Sequence, residues 1–301
     1  VLNGGVPVVA VVGPTASGKS DLALDLAEGL GAEIINADAM QLYRGMDIGT
    51  AKLRPDERRG IAHHQLDVLD VDADATVAAY QRHARADLAG IAARGHAVVV
   101  VGGSGLYVRA LLDDLSFPGT DEAVRAALEA RAETEGPGLL HAELEAADPV
   151  AAARIDRRNA RRIIRALEVI SITGEPYSAN LPSHSSHIPA VHVAVDLPRP
   201  VLHERIDARA RKMFDGGLLA ETGALLERGL ERGRTARRAV GYAQALAVLR
   251  GETDVATAVA DTAQATRQLA RRQMTWFRRD PRIAWLAPGP DLAERARRLL
   301  P

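Results

Sequence analysis

Two hydrophobic rhythms alternate along the first hundred residues. Continuous runs rich in β-branched residues stand at 6–12, 33–37 and 97–101. Such runs predict strands buried on both faces, as in a parallel sheet. Between them, at 18–30 and 74–94, apolar residues return every three or four positions. That spacing predicts amphipathic helices. The alternation implies βαβ units, hence a parallel sheet with helices on both faces. From about 116 the rhythm changes. Phe117-Pro118-Gly119 breaks the chain, and 121–173 reads as almost entirely helical. Residues 178–189 are loop-like, rich in Ser, His and Pro, with His184 and His187 assigned no role. A strand returns at 191–196, residues 200–300 are again helical, and 282–286 is a last strand. The predicted organisation is an α/β core over 1–115 and 190–301, with a helical insertion over 116–189.

Chemistry enters at the end of the first strand. Gly13-Pro14-Thr15-Ala16-Ser17-Gly18-Lys19-Ser20 is a full G-x-x-x-x-G-K-[ST] phosphate loop in the strand–loop–helix setting it requires. Glycines at 13 and 18 let several N–H groups converge on one anion at a helix N-terminus. Lys19 adds a point charge, and the Ser20 hydroxyl can hold Mg²⁺. The core is therefore P-loop NTPase-like, and the chain binds a di- or triphosphate.

Composition narrows the class. The 301 residues are 47% hydrophobic and 26% charged, ordinary for a globular enzyme. No apolar run approaches the roughly 18 residues of a membrane span. The N-terminal segment reads as a core strand without the basic region of a signal peptide, so a cytoplasmic protein is expected, with no membrane contact and no obligate protein partner. The absence of cysteine excludes disulfides, thiolate catalysis and Cys-based zinc sites. Net charge is −1, so nothing global demands nucleic acid. Only Lys19, Lys52 and Lys212 are lysines; codon bias accounts for the skew, and Lys19 is where a compact ammonium is needed.

Asp38 stands just past the second strand, where open α/β sheets bind ligands. A carboxylate there serves as a general base, holds Mg²⁺ through water, or caps a helix. Gly102-Gly103-Ser104-Gly105 follows another strand and is either a tight turn or a site where Ser104 donates a hydrogen bond. No acid ends that strand, which argues against nucleotide hydrolysis as the main chemistry. Two stretches are basic. Arg154, Arg158, Arg161 and Arg165 follow an i, i+4, i+7, i+11 spacing that predicts one helix face. Arg267–Arg279 interleaves arginines with Trp276 and Phe277. Both suit a phosphate backbone and stacked bases; the alternative is a solvated charged face. His63-His64 is read as structural hydrogen bonding beside the sheet.

These residues together resemble the tRNA dimethylallyltransferase family, bacterial type, over nearly the full length. The carrying segments are Gly13–Ser20, Asp38–Lys52, His63-His64, Gly102–Tyr107, Arg162 with Arg165–Val169, Val240-Gly241-Tyr242-x-Gln244, and Arg271–Arg278. The resemblance implies transfer of a dimethylallyl group from dimethylallyl diphosphate to N6 of the adenosine 3′ to the anticodon, with Mg²⁺. It implies catalytic roles for Asp38, Ser104 and Arg209, and diphosphate binding by Gly13, Thr15, Ala16, Ser17, Gly18, Lys19 and Ser20, with the metal on Ser20. Contacts to the tRNA anticodon stem-loop are expected from Asp38, Ala39, Met40, Gln41, Arg158, Arg161, Arg162, Arg165, Arg238, Gly241, Tyr242, Gln244, Arg272 and Gln273. Ala39 stands where the family often has Ser, and Ser104 where it often has Thr. The competing readings are a P-loop small-molecule kinase, an isopentenyltransferase acting on free adenine nucleotides, and an RNA-binding NTP switch.

Overall fold

A computed structural model describes residues 5–180 and 185–300; His184 lies outside them. The chain runs β1 (Val8–Val12), α1 (Lys19–Leu30), β2 (Ala32–Asn36), β3 (His63–His64), α2 (Val77–Ala93), β4 (Ala97–Gly102) and α3 (Gly105–Leu112). After α4 (Glu122–Thr134), α5 (Pro137–Ala147), α6 (Pro149–Ala152) and α7 (Ala160–Thr173), it returns through β5 (Val191–Val195), α8 (Arg199–Asp215), α9 (Leu218–Glu227), α10 (Tyr242–Leu249), α11 (Val255–Phe277), β6 (Ile283–Leu286) and α12 (Leu292–Arg297).

The strands form one parallel sheet in the order β3-β2-β4-β1-β5-β6. Every residue of β1 and β2 is buried, because helices cover both faces. Val9, Val11, Ile34, Val99 and Val193 pack against Leu22 and Leu26 of α1, Leu202 and Ile206 of α8, and Ala263 and Ala270 of α11. On the other face α2 buries Tyr80, Ala84, Leu88 and Ile91, and α3 buries Val108, Leu111 and Leu112. The chain goes to one side of β1 for β2, β3 and β4, and to the other for β5 and β6. The carboxyl end of β1 is therefore a topological switch point, where such sheets open a ligand crevice. Among the described residues no helix is long and apolar enough to cross a membrane.

The chain divides into two compact units, one built from the segments up to Asp113 and from Ser186 onward, the other Asp114–Ser185. The second is all helical around Leu128, Leu140, Leu144, Ile163 and Leu167. Here the structure departs from the predicted arginine face. Arg154 and Arg158 are in the turn between α6 and α7, not on a helix. Asn159 starts α7: its side chain accepts the Arg162 N–H, a standard N-cap. Only Arg161 and Arg165 of the four share that helix. Periodicity carried the reading across a cap that interrupts it.

Candidate active site

The site is assembled at the carboxyl ends of three neighbouring strands. The phosphate loop leaves β1 through three positive φ angles, 131° at Gly13, 65° at Ala16 and 90° at Gly18. Gly18 is the residue before α1, and its left-handed conformation aims the first N–H groups of the helix into the loop. Ala16 adopts the same region without being glycine, a strained geometry of the kind found at ligand clamps. The Ser17 hydroxyl is buried without a hydrogen-bond partner. An orphaned donor inside a phosphate loop fits an anion acceptor.

Lys19 points back along the loop, its Nζ 3.4 Å from the Pro14 carbonyl. Burial pushes its ammonium down to about 8, Asp38 pulls it back up, and Arg209 lowers it further. Its surface is still partly accessible, so the lowering comes from dense packing around the ammonium in a site open at one side. Arg209 of α8 donates to Thr15 Oγ1 at 3.2 Å. Burial also lowers the Arg209 guanidinium, with Asp21 opposing and Arg205 adding to the effect. Arg205, one turn earlier, lies against Gly18: a Cβ there would be 3.6 Å from its Nη1. Three cations from two helices thus converge on the loop. Arg205 was not foreseen. Its i, i+4 relation to Arg209 was the available signal.

Asp38 follows β2. Its backbone is set by Asn36, whose Oδ1 accepts the Asp38 N–H at 3.0 Å and whose amide donates to the Asp38 carbonyl. Asp38 Oδ1 accepts the Met40 N–H at 3.1 Å, a local turn rather than a helix cap. The other carboxylate oxygen has no partner among the described residues. Ser104 Oγ accepts the Ala39 N–H at 3.2 Å, so its proton is left to donate elsewhere. The glycine turn lies hard against this segment: a Cβ on Gly102 would fall 2.2 Å from the Ala37 carbonyl oxygen, which only glycine permits. Tyr107 stands nearby, its phenol pushed up to about 12 by burial, Tyr43 and Asp38, and stays neutral.

Several expected RNA contacts are held inside the protein. Gln273 Oε1 accepts the Thr15 N–H and its amide donates to the Gly103 carbonyl, both at 2.9 Å. It staples the phosphate loop to the glycine turn. Tyr242 is fully buried and donates to Glu221 at 2.6 Å; Gly241 is buried too, its N–H bonded to Gln244 Oε1. Glu221 also accepts the Ile48 N–H at 2.9 Å, so this group fixes the 38–52 loop from behind. Lys52 is buried with Asp47, Asp67 and the Tyr43 carbonyl, inside that loop and not on the phosphates. Gln41 donates to the Thr50 carbonyl. In the helical unit Arg165 donates to the Pro118 and Gly119 carbonyls and pairs with buried Glu168, which also holds Arg125. By contrast Arg161, Arg162, Arg238 and Arg272 are exposed with no ion-pair partner among the described residues. Arg158 is exposed and makes only a loose pair with Asp156 at 3.6 Å. His64 bonds Glu33 at 2.7 Å and His63 the Ile61 carbonyl at 2.8 Å, and no cluster of three metal-ligating side chains occurs among the described residues.

Comparison with known proteins places these features in a family. A family model described as IPP transferase matches residues 41–280. The tRNA dimethylallyltransferase of Streptomyces coelicolor is 57% identical over 282 residues, covering 94% of this chain and 90% of that protein. That of Thermobifida fusca is 57% identical over 295 residues, covering 96% and 92%. Among solved structures, the tRNA isopentenylpyrophosphate transferase of Bacillus halodurans is 36% identical, with a TM-score of 0.71 over 97% of this chain and 94% of that one. A eukaryotic dimethylallyltransferase acting on tRNA, 24% identical, superposes with a TM-score of 0.83 over 98% of this chain and 78% of that one, a likeness of fold. The family match spans most of the chain and the bacterial relatives align nearly end to end, so this chain belongs to the IPP transferase family.

Proposed function

We propose that this protein transfers a dimethylallyl group from dimethylallyl diphosphate to N6 of the adenosine 3′ to the anticodon in tRNA, releasing diphosphate. The observation that carries the reading is the pairing of a half-free carboxylate with a phosphate loop. Asp38 keeps one oxygen unpartnered and lies close enough to Lys19 to act on its ionisation. The allylic C–O bond breaks with its electron pair going to the diphosphate. The N–H groups of 16–20, Lys19, Arg209 and Arg205 oppose the charge that grows there. The adenine nitrogen forms the new C–N bond, and Asp38 takes the proton that N6 must lose. Ser104 holds the turn after Asp38 and has a proton to offer the acceptor or the departing oxygen.

Mg²⁺ fits the donor set. The Ser20 hydroxyl has no protein partner among the described residues. Mg²⁺ takes most of its ligands from water and phosphate rather than from an acidic cage. Ser20 would hold it with the diphosphate, where it supplies further charge neutralisation. A kinase reading lacks its usual acid: β4 ends in Val101 and Gly102.

The test is transfer of labelled dimethylallyl groups to a stem-loop RNA and to AMP at matched concentration. The stem-loop should be modified efficiently and AMP very slowly, because remote binding energy positions the reacting centre. Asp38→Asn should bind both substrates yet transfer about 10²- to 10⁴-fold more slowly. Equal use of AMP would move the assignment to free nucleotides. Turnover of the variant within about tenfold of wild type would remove Asp38 from the chemistry.

A further inference from the structure

The last turn of α11 carries an aromatic side chain that the reaction scheme leaves unused. Gln273 ties this helix to both the phosphate loop and the glycine turn. Three residues on, Trp276 lies on the same helix face, and its indole edge abuts the start of α3. A Cβ placed on Gly105 would fall 2.1 Å from the indole nitrogen and 2.2 Å from the neighbouring ring carbon. Gly105 follows Ser104, which holds the turn after Asp38. The ring is therefore fixed at the rim of the candidate active site. Even so, Trp276 is 41% exposed, and its N–H has no hydrogen-bond partner among the described residues.

Two arginines close to it in sequence are left unpaired. Arg272, one turn earlier on the same face, and Arg279, just past the helix, are exposed and have no ion-pair partner among the described residues. The other tryptophan behaves differently. Trp285 has the Arg278 guanidinium 3.8 Å from its ring centroid, and Arg278 also pairs with Asp196. Trp285 has its cation, whereas Trp276 is partly exposed, and the arginines four positions before it and three after it are left without ion pairs among the described residues. An aromatic face flanked by cations matches a base joined to phosphates. The neighbouring arginines make it a poorer match for the allylic cation of dimethylallyl diphosphate, and the diphosphate charge belongs at the phosphate loop.

We propose that Trp276 is a stacking platform for a nucleobase next to the acceptor adenosine, with Arg272 and Arg279 on the adjoining phosphates. The inference rests on the RNA reading above and deepens it: the core grips two consecutive bases, one reacting and one stacked. This supplies part of the discrimination against free nucleotides, which have no neighbouring base.

The experiment uses the full chain carrying Trp285→Phe, which leaves Trp276 as the only tryptophan. Stem-loop RNA should quench its fluorescence. Quenching should fall sharply with an RNA that is abasic at one of the two positions flanking the acceptor, and persist when the acceptor itself is abasic. In the otherwise wild-type chain, Trp276→Leu should raise KM for the stem-loop about 5- to 150-fold, the range for losing one stacked base, without a matching rise in KM for dimethylallyl diphosphate. Trp276→Phe should recover most of that loss. Gly105→Ala, which displaces the indole without removing it, should reproduce the leucine phenotype. Quenching unaffected by either flanking abasic site, or lost only with the acceptor base, would overturn the proposal. So would an unchanged KM in Trp276→Leu. If AMP proves as good an acceptor as the stem-loop, the RNA reading itself fails; if the stem-loop is favoured but the quenching pattern is absent, only the platform fails.

Discussion

Lys19 shows how far one residue's environment can move its chemistry. Burial lowers its ammonium to about 8, a shift that Asp38 only partly offsets. The group is charged below that value and neutral above it. In the free enzyme, the charge proposed to receive the diphosphate is thus lost as pH rises through about 8. A bound diphosphate favours the charged form and raises the value again. The expected result is a fall in kcat/KM for dimethylallyl diphosphate above about pH 8, with much less change in kcat. Lys19→Arg should bind more weakly, since the loop is shaped for a compact cation, and should lose this inflection. Steady-state kinetics across neutral to alkaline pH checks both points, and a flat kcat/KM profile in the wild type would contradict them.

Within one helix, chemically identical side chains divide between structure and surface. Arg165 of α7 is spent on the Pro118 and Gly119 carbonyls and on buried Glu168. Arg161, on the same helix, and Arg158, just before it, are exposed. Arg165→Ala should therefore destabilise the protein by about 1–3 kcal/mol, because it strips a charged partner from buried Glu168. Glu168 keeps Arg125, which limits the damage. Arg158→Ala with Arg161→Ala should leave thermal stability alone and flatten the salt dependence of tRNA binding. Each lost phosphate contact should lower the log–log slope by roughly 0.7–0.9. Melting curves and binding titrations over a salt series separate the two effects. An unchanged slope in the double variant would mean that those arginines meet only solvent.

For the whole molecule, the ion-pair group around Glu33 is one of several that contribute to acid stability. Glu33 is the second residue of β2, and burial alone would raise its carboxyl; hydrogen bonds from His64, Arg94 and His96 outweigh that and hold it down to about 2. Its folded value lies below the ordinary 4.5, so its stabilising contribution is complete above the unfolded value. It is lost as pH falls from about 4.5 towards about 2. Glu33→Gln should cost on the order of 2–3 kcal/mol near neutrality by linkage, and the gap to wild type should close on acidification through that window. Urea unfolding at a series of pH values measures it. A gap that does not vary with pH would assign the loss to packing instead.

The parts legible in the sequence are those whose physics is local. A phosphate loop needs glycine at positive φ and a lysine at one spacing, and 13–20 shows both in eight residues. A strand covered by helices on both faces must be apolar throughout, so β1 and β4 were readable from their valines. Asp38 was readable because a strand end in an open α/β sheet is a fixed place. The start of α7 was also local, since Asn159 is an N-cap, but a misleading arginine period ran across it. Other features were settled only when the chain closed on itself. The Gln273 staple joins residues 258 positions apart. Arg205 and Arg209 reach the phosphate loop because α8 packs beside α1 on the sheet; Arg209 is expected only through the family resemblance, and the only local signal for Arg205 is its spacing from Arg209. Tyr242 and Lys52 look like surface chemistry in a one-dimensional motif, yet they are buried struts behind the 38–52 loop. Arg165 differs from Arg161 only in what lies across from it. Local sequence determines which groups are offered and at what spacing. Which of them face a ligand and which face the protein depends on contacts between distant segments, and only the tertiary structure supplies those.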